Sequence, residues 1–378
     1  MGHNASRSYA IKELFHFQGG SGDLTERAIY DCQPGSSGDI VKVFSGATDS
    51  ENNLPVCSKK LIEDTGAPLI LDCGILVARK GQAGSMRIVE GKFSFNDNAY
   101  AMTVRPKAIK VIDPLFFVIA YQDDFFDLVT SKDGNGTFAK SIAESLIVRL
   151  PKIEMQCEVA DAWRKQESSK GRLNALLCQT QKLLDTQVRS SSERGVRVAD
   201  LVNHFQGRQI TDKELYIAEG KIPVISGADA IIKGYSNTPL ILEEDLPCIT
   251  YQTKGNTQIQ LHTRTHIFDA NNTAIMSIKK RRRDSVDIDF LKLPLRWKMR
   301  ELQTSNESVS YIDTRILLSE IPMPFNKDVN ELDVNEQRRI AYEYRRLQTI
   351  ESSLKILIEG VEESMRRIRQ LAVSIVAE

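Results

Sequence analysis

Between residues 335 and 378 an apolar residue recurs at every seventh position: Ile340, Leu347, Leu354, Val361, Ile368 and Ile375. Ile350, Leu357 and Leu371 follow members of that series by three residues, with Ser364 the polar exception, and no proline interrupts the stretch. Such a heptad stripe predicts a coiled-coil helix, roughly 60 Å long at 1.5 Å per residue. A second proline-free stretch, 157–189, lies 181 residues earlier and sets Val159, Leu173 and Leu176 against Ile340, Leu354 and Leu357. Its stripe is poorer, carrying Gln166, Thr180 and Gln187 at a positions. Polar a positions fit an antiparallel pairing of the two helices. Packing of each helix on its own globular neighbour is the other arrangement the pattern allows.

Ahead of each long helix the period shortens toward two. IVKVF (40–44), LILDC (69–73), ILVARK (75–80), KFSFND (92–97) and AMTVR (101–105) predict strands separated by Gly, Asn and Asp turns. DPLFFVIAYQDDFFDLV (113–129) predicts a helix, since Pro114 suits a first helical turn and dense apolar residues follow. The layout is globular module, long helix, globular module, long helix.

The two halves are similar in sequence. VFSGA (43–47) faces VISGA (224–228), and ARKGQ (78–82) faces QTKGN (252–256). FSFNDNAYAMTV (93–104) faces HIFDANNTAIMSI (266–278), and FQGGSGDLTERAIY (17–30) faces FQGRQITDKELYI (205–217). Each match is short, but all keep one order with offsets of 174 to 188 residues, as expected of a duplicated module with loop insertions.

Composition adds boundaries rather than direction. The chain has 378 residues, 41% hydrophobic and 26% charged, enough for two or three ordinary globular domains. The opening MGHNASRSYA lacks the apolar core of a secretory signal. Six cysteines without short regular spacing read as scattered thiols of a cytoplasmic protein. Fifty basic and fifty acidic residues give zero net charge, which excludes coating of nucleic acid by bulk charge and makes local basic faces decisive.

Enzyme chemistry finds little support. Gly19, Gly20 and Gly22 resemble a phosphate-cradling loop, but the second copy, FQGRQIT, keeps only Gly207, and no clean strand and helix bracket the cluster. A tight surface turn is the reading. No phosphate-binding loop or nucleophile elbow occurs. His262 and His266 share a spacing of four, yet QIQLHTRTHIF alternates as a strand, so the geometry for zinc on a helix is missing, and no metal is expected.

Local cations remain. SIKKRRRD (277–284) places Lys279, Lys280, Arg281 and Arg282 in one run, continued by Arg283, and LRWKMR (295–300) interleaves cations with Trp297. Arg79 and Lys80 precede Gly81 and Gln82 in the first copy, as Lys254 precedes Gly255 and Asn256 in the second. A cation beside glycine and an amide suits phosphate contact plus base-edge readout. The place in the repeat adds Ser45, Ser226 and Arg264 as candidate DNA contacts. The candidates for helix pairing are Val159, Leu173, Leu176, Ile340, Leu347, Leu354, Leu357, Val361 and Ile368.

Over its whole length this organisation resembles the specificity subunit of type I restriction–modification systems, and the closely similar subunits of type IIB systems. The resemblance rests on GDIVKVFSGA (38–47) with GKIPVISGAD (220–229), and on GNGTFAKSIAESLIVRLPKI (134–153) with SNESVSYIDTRILLSEIPMP (305–324). It rests also on the helix openings EMQCEVA (154–160) and NEQRRIA (335–341), aligned at Gln156 and Gln337. Copy two lacks the G-x-T before its helix and has extra residues between Pro322 and Leu332.

The resemblance implies an α+β fold of two duplicated mixed α/β target-recognition domains joined by two long antiparallel coiled-coil helices with pseudo-twofold symmetry. It implies domains at 1–153 and 191–330, with helices at 154–190 and 331–378. Each domain would read one half of a bipartite double-stranded DNA target, and the helices would set the gap. The chain itself would be non-catalytic and bind no cofactor. S-adenosylmethionine would sit on two modification subunits docked on it, and ATP and Mg on restriction subunits in a type I complex. A structural protein whose heptads oligomerise it and whose modules bind protein is the alternative.

Overall fold

The computed structural model describes residues 6–31, 40–45, 53–130, 136–186, 193–206, 222–226, 231–236, 243–252, 259–263, 267–268, 273–302 and 315–377. They form two compact units, Met1–Asn174 with Ile356–Glu378, and Ala175–Lys355.

In unit 1, β1 (Arg7–Ala10), α1 (Ile11–Leu14) and β2 (Phe15–Gly19) are followed by α2 (Glu26–Asp31), β3 (Ile40–Phe44), β4 (Asn53–Ser58) and α3 (Lys59–Asp64). Four strands come next: β5 (Cys73–Ala78), β6 (Met86–Glu90), β7 (Phe93–Phe95) and β8 (Ala99–Val104). Then come α4 (Pro114–Asp127), α5 (Lys140–Ser145), β9 (Ile147–Leu150) and the long helix α6 (Ile153–Thr186). The sheets are β2-β8-β5-β6, β4-β3-β7 and β1-β9.

Alternation along the strands explains the layering. Phe15, Phe17, Ile75, Val77 and Met102 point from one face of the four-stranded sheet to Phe116, Phe117 and Phe125 of α4. Leu76, Ala99 and Ala101 point from the other to Phe44, Phe93 and Phe95 of the three-stranded sheet. The sheet is therefore buried on both sides. Helix α4 starts where the sequence places it: Asp113 Oδ1 accepts from the N–H groups of Leu115 and Phe116 at 2.8 and 2.9 Å, and Pro114 opens the first turn.

Unit 2 contains β10 (Glu193–Arg197), α7 (Val198–Leu201), β11 (Val202–Gln206), β12 (Ile222–Ser226) and β13 (Ile231–Ser236). Next are β14 (Cys248–Gln252), β15 (Ile259–His262), β16 (Ile267–Phe268) and β17 (Thr273–Ile278). The unit closes with α8 (Ile288–Leu302), α9 (Arg315–Leu318), β18 (Glu320–Asn326), β19 (Glu331–Leu332) and the long helix α10 (Val334–Ala377). Its strand orders, β11-β17-β14-β15 and β13-β12-β16, repeat those of unit 1 strand for strand, and β10-β18-β19 repeats β1-β9 with one added strand. Register recurs as well: Ile75 faces Met102 in unit 1, and Ile249 faces Met276 in unit 2.

One expectation needs correction, and one difference between the copies finds its explanation. LILDC is not a strand through its length: β5 begins at Cys73, and Ile70 alone exchanges backbone hydrogen bonds with Phe93 at 2.9 and 3.0 Å. The extra residues after Pro322 are a hairpin, β18–β19, turned by Asn330 at φ 56.

Each long helix begins against its module through one fully buried glutamine. Gln156 Oε1 accepts from Asp113 N–H at 2.9 Å, and its Nε2 donates to Val111 O and Pro151 O at 2.9 and 2.8 Å. Gln337 Oε1 accepts from Asp287 N–H at 2.8 Å, and its Nε2 donates to Ser285 O at 3.0 Å. Eight residues further along each helix an arginine reaches an acidic residue at the start of the module's helix: Arg164 to Asp113 at 3.6 Å, and Arg345 to Asp289 at 3.4 Å. These half-exposed ion pairs contribute little beside the buried amides.

Removing a buried partner strands groups that water cannot reach, at about 1–3 kcal/mol each. Gln156→Leu is therefore expected to cost at least about 3 kcal/mol, lowering Tm by roughly 6–12 °C. Gln166→Leu, half-buried on the same helix, should change stability by less than about 1 kcal/mol. Thermal denaturation of both variants checks this, and equal effects would remove the clamp from the account.

Candidate nucleic-acid interface

In unit 1 two turns and the ends of β2 and β3 meet at the end of the four-stranded sheet where β5 stops and β8 begins. The β5–β6 turn brings Arg79, Lys80 and Gln82, and the end of β3 brings Ser45. The β7–β8 turn, Asn96–Asn98, lies between them. Ser45 Oγ accepts from the Nδ2 groups of Asn96 and Asn98 at 3.3 and 3.4 Å. Arg79 donates through Nη1 to Asp97 O at 3.4 Å, its guanidinium lies 5.7 Å over the Tyr100 ring, and Lys80 Nζ is 3.7 Å from Asp97 Oδ2. The structure thus gathers the four sequence-nominated residues of this unit into one polar edge. It adds Asn96, Asp97 and Asn98, whose signal was the Asn-Asp-Asn turn between two strands.

The glycine cluster belongs to the same edge. A Cβ on Gly20 would lie 1.8 Å from Asn96 O, so the end of β2 crosses the β7–β8 turn backbone to backbone. That crossing accounts for Gly20 without any ligand.

In unit 2 the corresponding turn residues Lys254 and Asn256, and also Arg264, lie outside the described residues. Ser226 ends β12. His262, buried on β15, shares a 2.8 Å hydrogen bond with Thr250, which gives it a core role; His266 lies outside the described residues.

The basic run behaves differently from its sequence reading. Lys279 N–H donates to Leu201 O at 2.9 Å and its Nζ to Ala199 O, closing α7. Arg105 does the same in unit 1: its N–H donates to Leu14 O at 2.8 Å, and its Nε to Lys12 O and Phe15 O at 2.7 and 3.0 Å. Lys279 is a structural cation at the Arg105 position. Lys280–Arg282 form the 3-10 turn leading toward α8, with Lys280 and Arg281 exposed and Arg282 half-buried.

The long helices meet antiparallel. In unit 1, Val159 and Trp163 of α6 share a core with Ile368, Ala372 and Ile375 of α10, and Lys170 Nζ lies 2.7 Å from Glu362 Oε1. Rising numbers on α6 thus meet falling numbers on α10. In unit 2, Gln181 Nε2 donates to Glu351 Oε1 at 3.3 Å, and Leu184 and Leu354 are buried. Hydrogen bonds from Lys170 hold the Glu362 carboxyl below its ordinary range, and those from Lys355 and then Gln181 do so for Glu351.

The seven-residue stripe faces inward: Ile340 and Leu354 are buried, while Leu173, Leu347, Val361 and Ile368 are half-buried. Its expected companions do not. Leu176 is 49% exposed and Leu357 55%, with Ile350 and Leu371 also exposed. The inward companions follow the stripe by four residues: Tyr344, Glu351, Ile358, Met365 and Ala372 on α10, and Trp163, Lys170, Leu177 and Leu184 on α6. A step of three turns about 60° to one side of the stripe and a step of four about 40° to the other, so the two choices select opposite flanks.

No family profile and no curated protein sequence matches the chain. Its fold is that of type I restriction–modification S subunits. The crystal structure of the S subunit from M. genitalium matches with a TM-score of 0.62 at 14% identity, covering 98% of this chain and 97% of that one. The HsdS subunit from Thermoanaerobacter tengcongensis has 13% identity over 98% and 95% of the two chains, with a TM-score of 0.44. A chain described for complex assembly and conformational transition of the type I R-M system has 13% identity over 98% and 96%, with a TM-score of 0.49. The assignment of fold rests on the first. Among the described residues no helix is long and apolar enough to cross a membrane.

The seam makes a direct contrast. Leu354→Lys buries a charge and is expected to cost about 3 kcal/mol or more, whereas Leu357→Lys should stay within about 0.5 kcal/mol of the parent. Chemical denaturation of the isolated chain measures both, and a larger loss from Leu357→Lys would restore the three-residue spacing.

Proposed function

We propose that the chain is the non-catalytic DNA-sequence-recognition subunit of a restriction–modification complex. Each unit reads one half of a split double-stranded target, the paired helices set the gap, and two modification subunits dock on the chain. S-adenosylmethionine belongs to those partners, as ATP and Mg belong to restriction subunits of a type I assembly, and the complex works in the cytoplasm. The observation that carries this reading is one strand order built twice, each copy feeding a long helix, within the fold of an S subunit.

The physics of a split target supports it. Half-sites one helical turn apart need readers held about 34 Å apart, and a 44-residue helix has the length to span that distance. Zero net charge fits a subunit that shares phosphate contact with partners. The polar edge of unit 1 offers cations and amides on turns, where base contacts are made, over a sheet that is rigid because both its faces are packed.

The helices-as-spacer element has a quantitative test. Deleting one heptad from each long helix shortens the span by about 10 Å, or roughly three base pairs of B-DNA. Methylome sequencing of cells carrying the shortened chain with its modification subunit should return both half-sites with the gap reduced by that amount. Unchanged spacing would overturn the spacer role.

A further inference from the structure

The β5–β6 turn of unit 1 is held by backbone hydrogen bonds at Arg79, Gln82, Gly84 and Ser85. Arg79 N–H donates to Asn98 O at 2.8 Å, and Arg79 O accepts from Phe138 N–H at 3.0 Å. Gly84 N–H donates to Ala78 O at 2.9 Å, and Gly84 O accepts from Gln122 Nε2 at 2.9 Å. Gln122 Oε1 in turn accepts from Met86 N–H at 2.8 Å. Ser85 donates to Gln82 O through both N–H and Oγ, at 3.0 and 2.7 Å. Gly84 holds φ +83, and a Cβ there would stand 2.7 Å from Phe125 O, so the turn abuts the end of α4 without side-chain clearance. Gly81, at φ +74, has nothing within 4 Å and serves the apex conformation alone.

The side chains divide into two groups. Arg79 is spent inside the fold, on Asp97 O and the Tyr100 ring, and Ser45 is spent on Asn96 and Asn98. Lys80 and Gln82 are exposed; Lys80 keeps its surface ion pair with Asp97, and the Gln82 side-chain amide has no partner among the described residues. A primary amide carries an N–H donor group and a carbonyl acceptor side by side in one plane. That is the complement of the N6 and N7 edge of adenine in the major groove.

Resting on the DNA-reading proposal above, we infer that Gln82 is a specificity-determining residue of the first half-site, reading an adenine, with Lys80 on a neighbouring phosphate. Arg79 is a positioning residue that fixes the turn. The unengaged Gln82 amide and the exposed Lys80, paired only with Asp97 at the surface, lie two residues apart on a turn held by backbone hydrogen bonds, and a held backbone is what discrimination between bases requires.

The test uses the full chain with its modification subunit on DNA randomised across the first half-site, read by sequencing of methylated bases. Gln82→Ala should reduce preference at one adenine-bearing base pair roughly tenfold, leaving the other positions and the second half-site as they are. Gln82→Arg should move the same position toward guanine. Arg79→Ala should blur that position in a chain that still folds, with Tm lowered by only a few degrees, and adding it to Gln82→Ala should cause no further loss there. An unaltered preference profile in Gln82→Ala overturns this inference while leaving DNA reading intact. If the complex carrying the parent chain methylates no split motif, the underlying reading falls instead.

Discussion

Where each long helix starts, and how it is rotated, is decided by a buried amide: Gln156 in unit 1 and Gln337 in unit 2. The amide bonds the loop ahead of the module's own helix, through Asp113 N–H and Val111 O in one unit, and Asp287 N–H and Ser285 O in the other. Turning either helix by one residue would leave a fully buried amide without its partners, which is why such networks specify geometry so sharply. The heptad phase is thereby locked to the module. The face that a long helix offers its partner helix, and the direction in which its module's turns point, are parts of one rigid arrangement.

Charge follows the same logic. Many of the cations that stand out in the sequence serve the fold: Arg105 and Lys279 close the short helices α1 and α7, and Arg164 and Arg345 meet acidic residues at the starts of α4 and α8. At the polar edge of unit 1 a held turn presents the exposed Lys80 and Gln82. Zero net charge is compatible with the proposed reading role, since selectivity needs a small number of placed contacts while bulk attraction to phosphate is independent of sequence.

Much of this was legible in the residues. The duplication, the strands around VFSGA and AMTV, the helix after Asp113 and the two long helices all appear as period, order and punctuation. The heptad phase did not, because apolar residues stand both three and four positions after the stripe, and the inward Glu351 hides the correct flank behind a charge. The basic run misled because five cations in a row look alike, whereas Lys279 differs from its neighbours only by bonding a carbonyl eighty residues away. Gln156 and Gln337 could be aligned without their purpose being visible, since burial and backbone partners distant in sequence define it. The reason for Gly20, a backbone crossing at Asn96, is purely three-dimensional.

The central claim is that two equivalent readers are mounted on paired helices, each answering for its own half of the target. It is tested most directly by a chain in which unit 1's module replaces that of unit 2, joined at the glutamine clamps so that both long helices keep their starts. With its modification subunit, this chain should methylate a split palindrome made of two copies of the first half-site, at the parental spacing. Methylation that still requires the original second half-site would contradict the account.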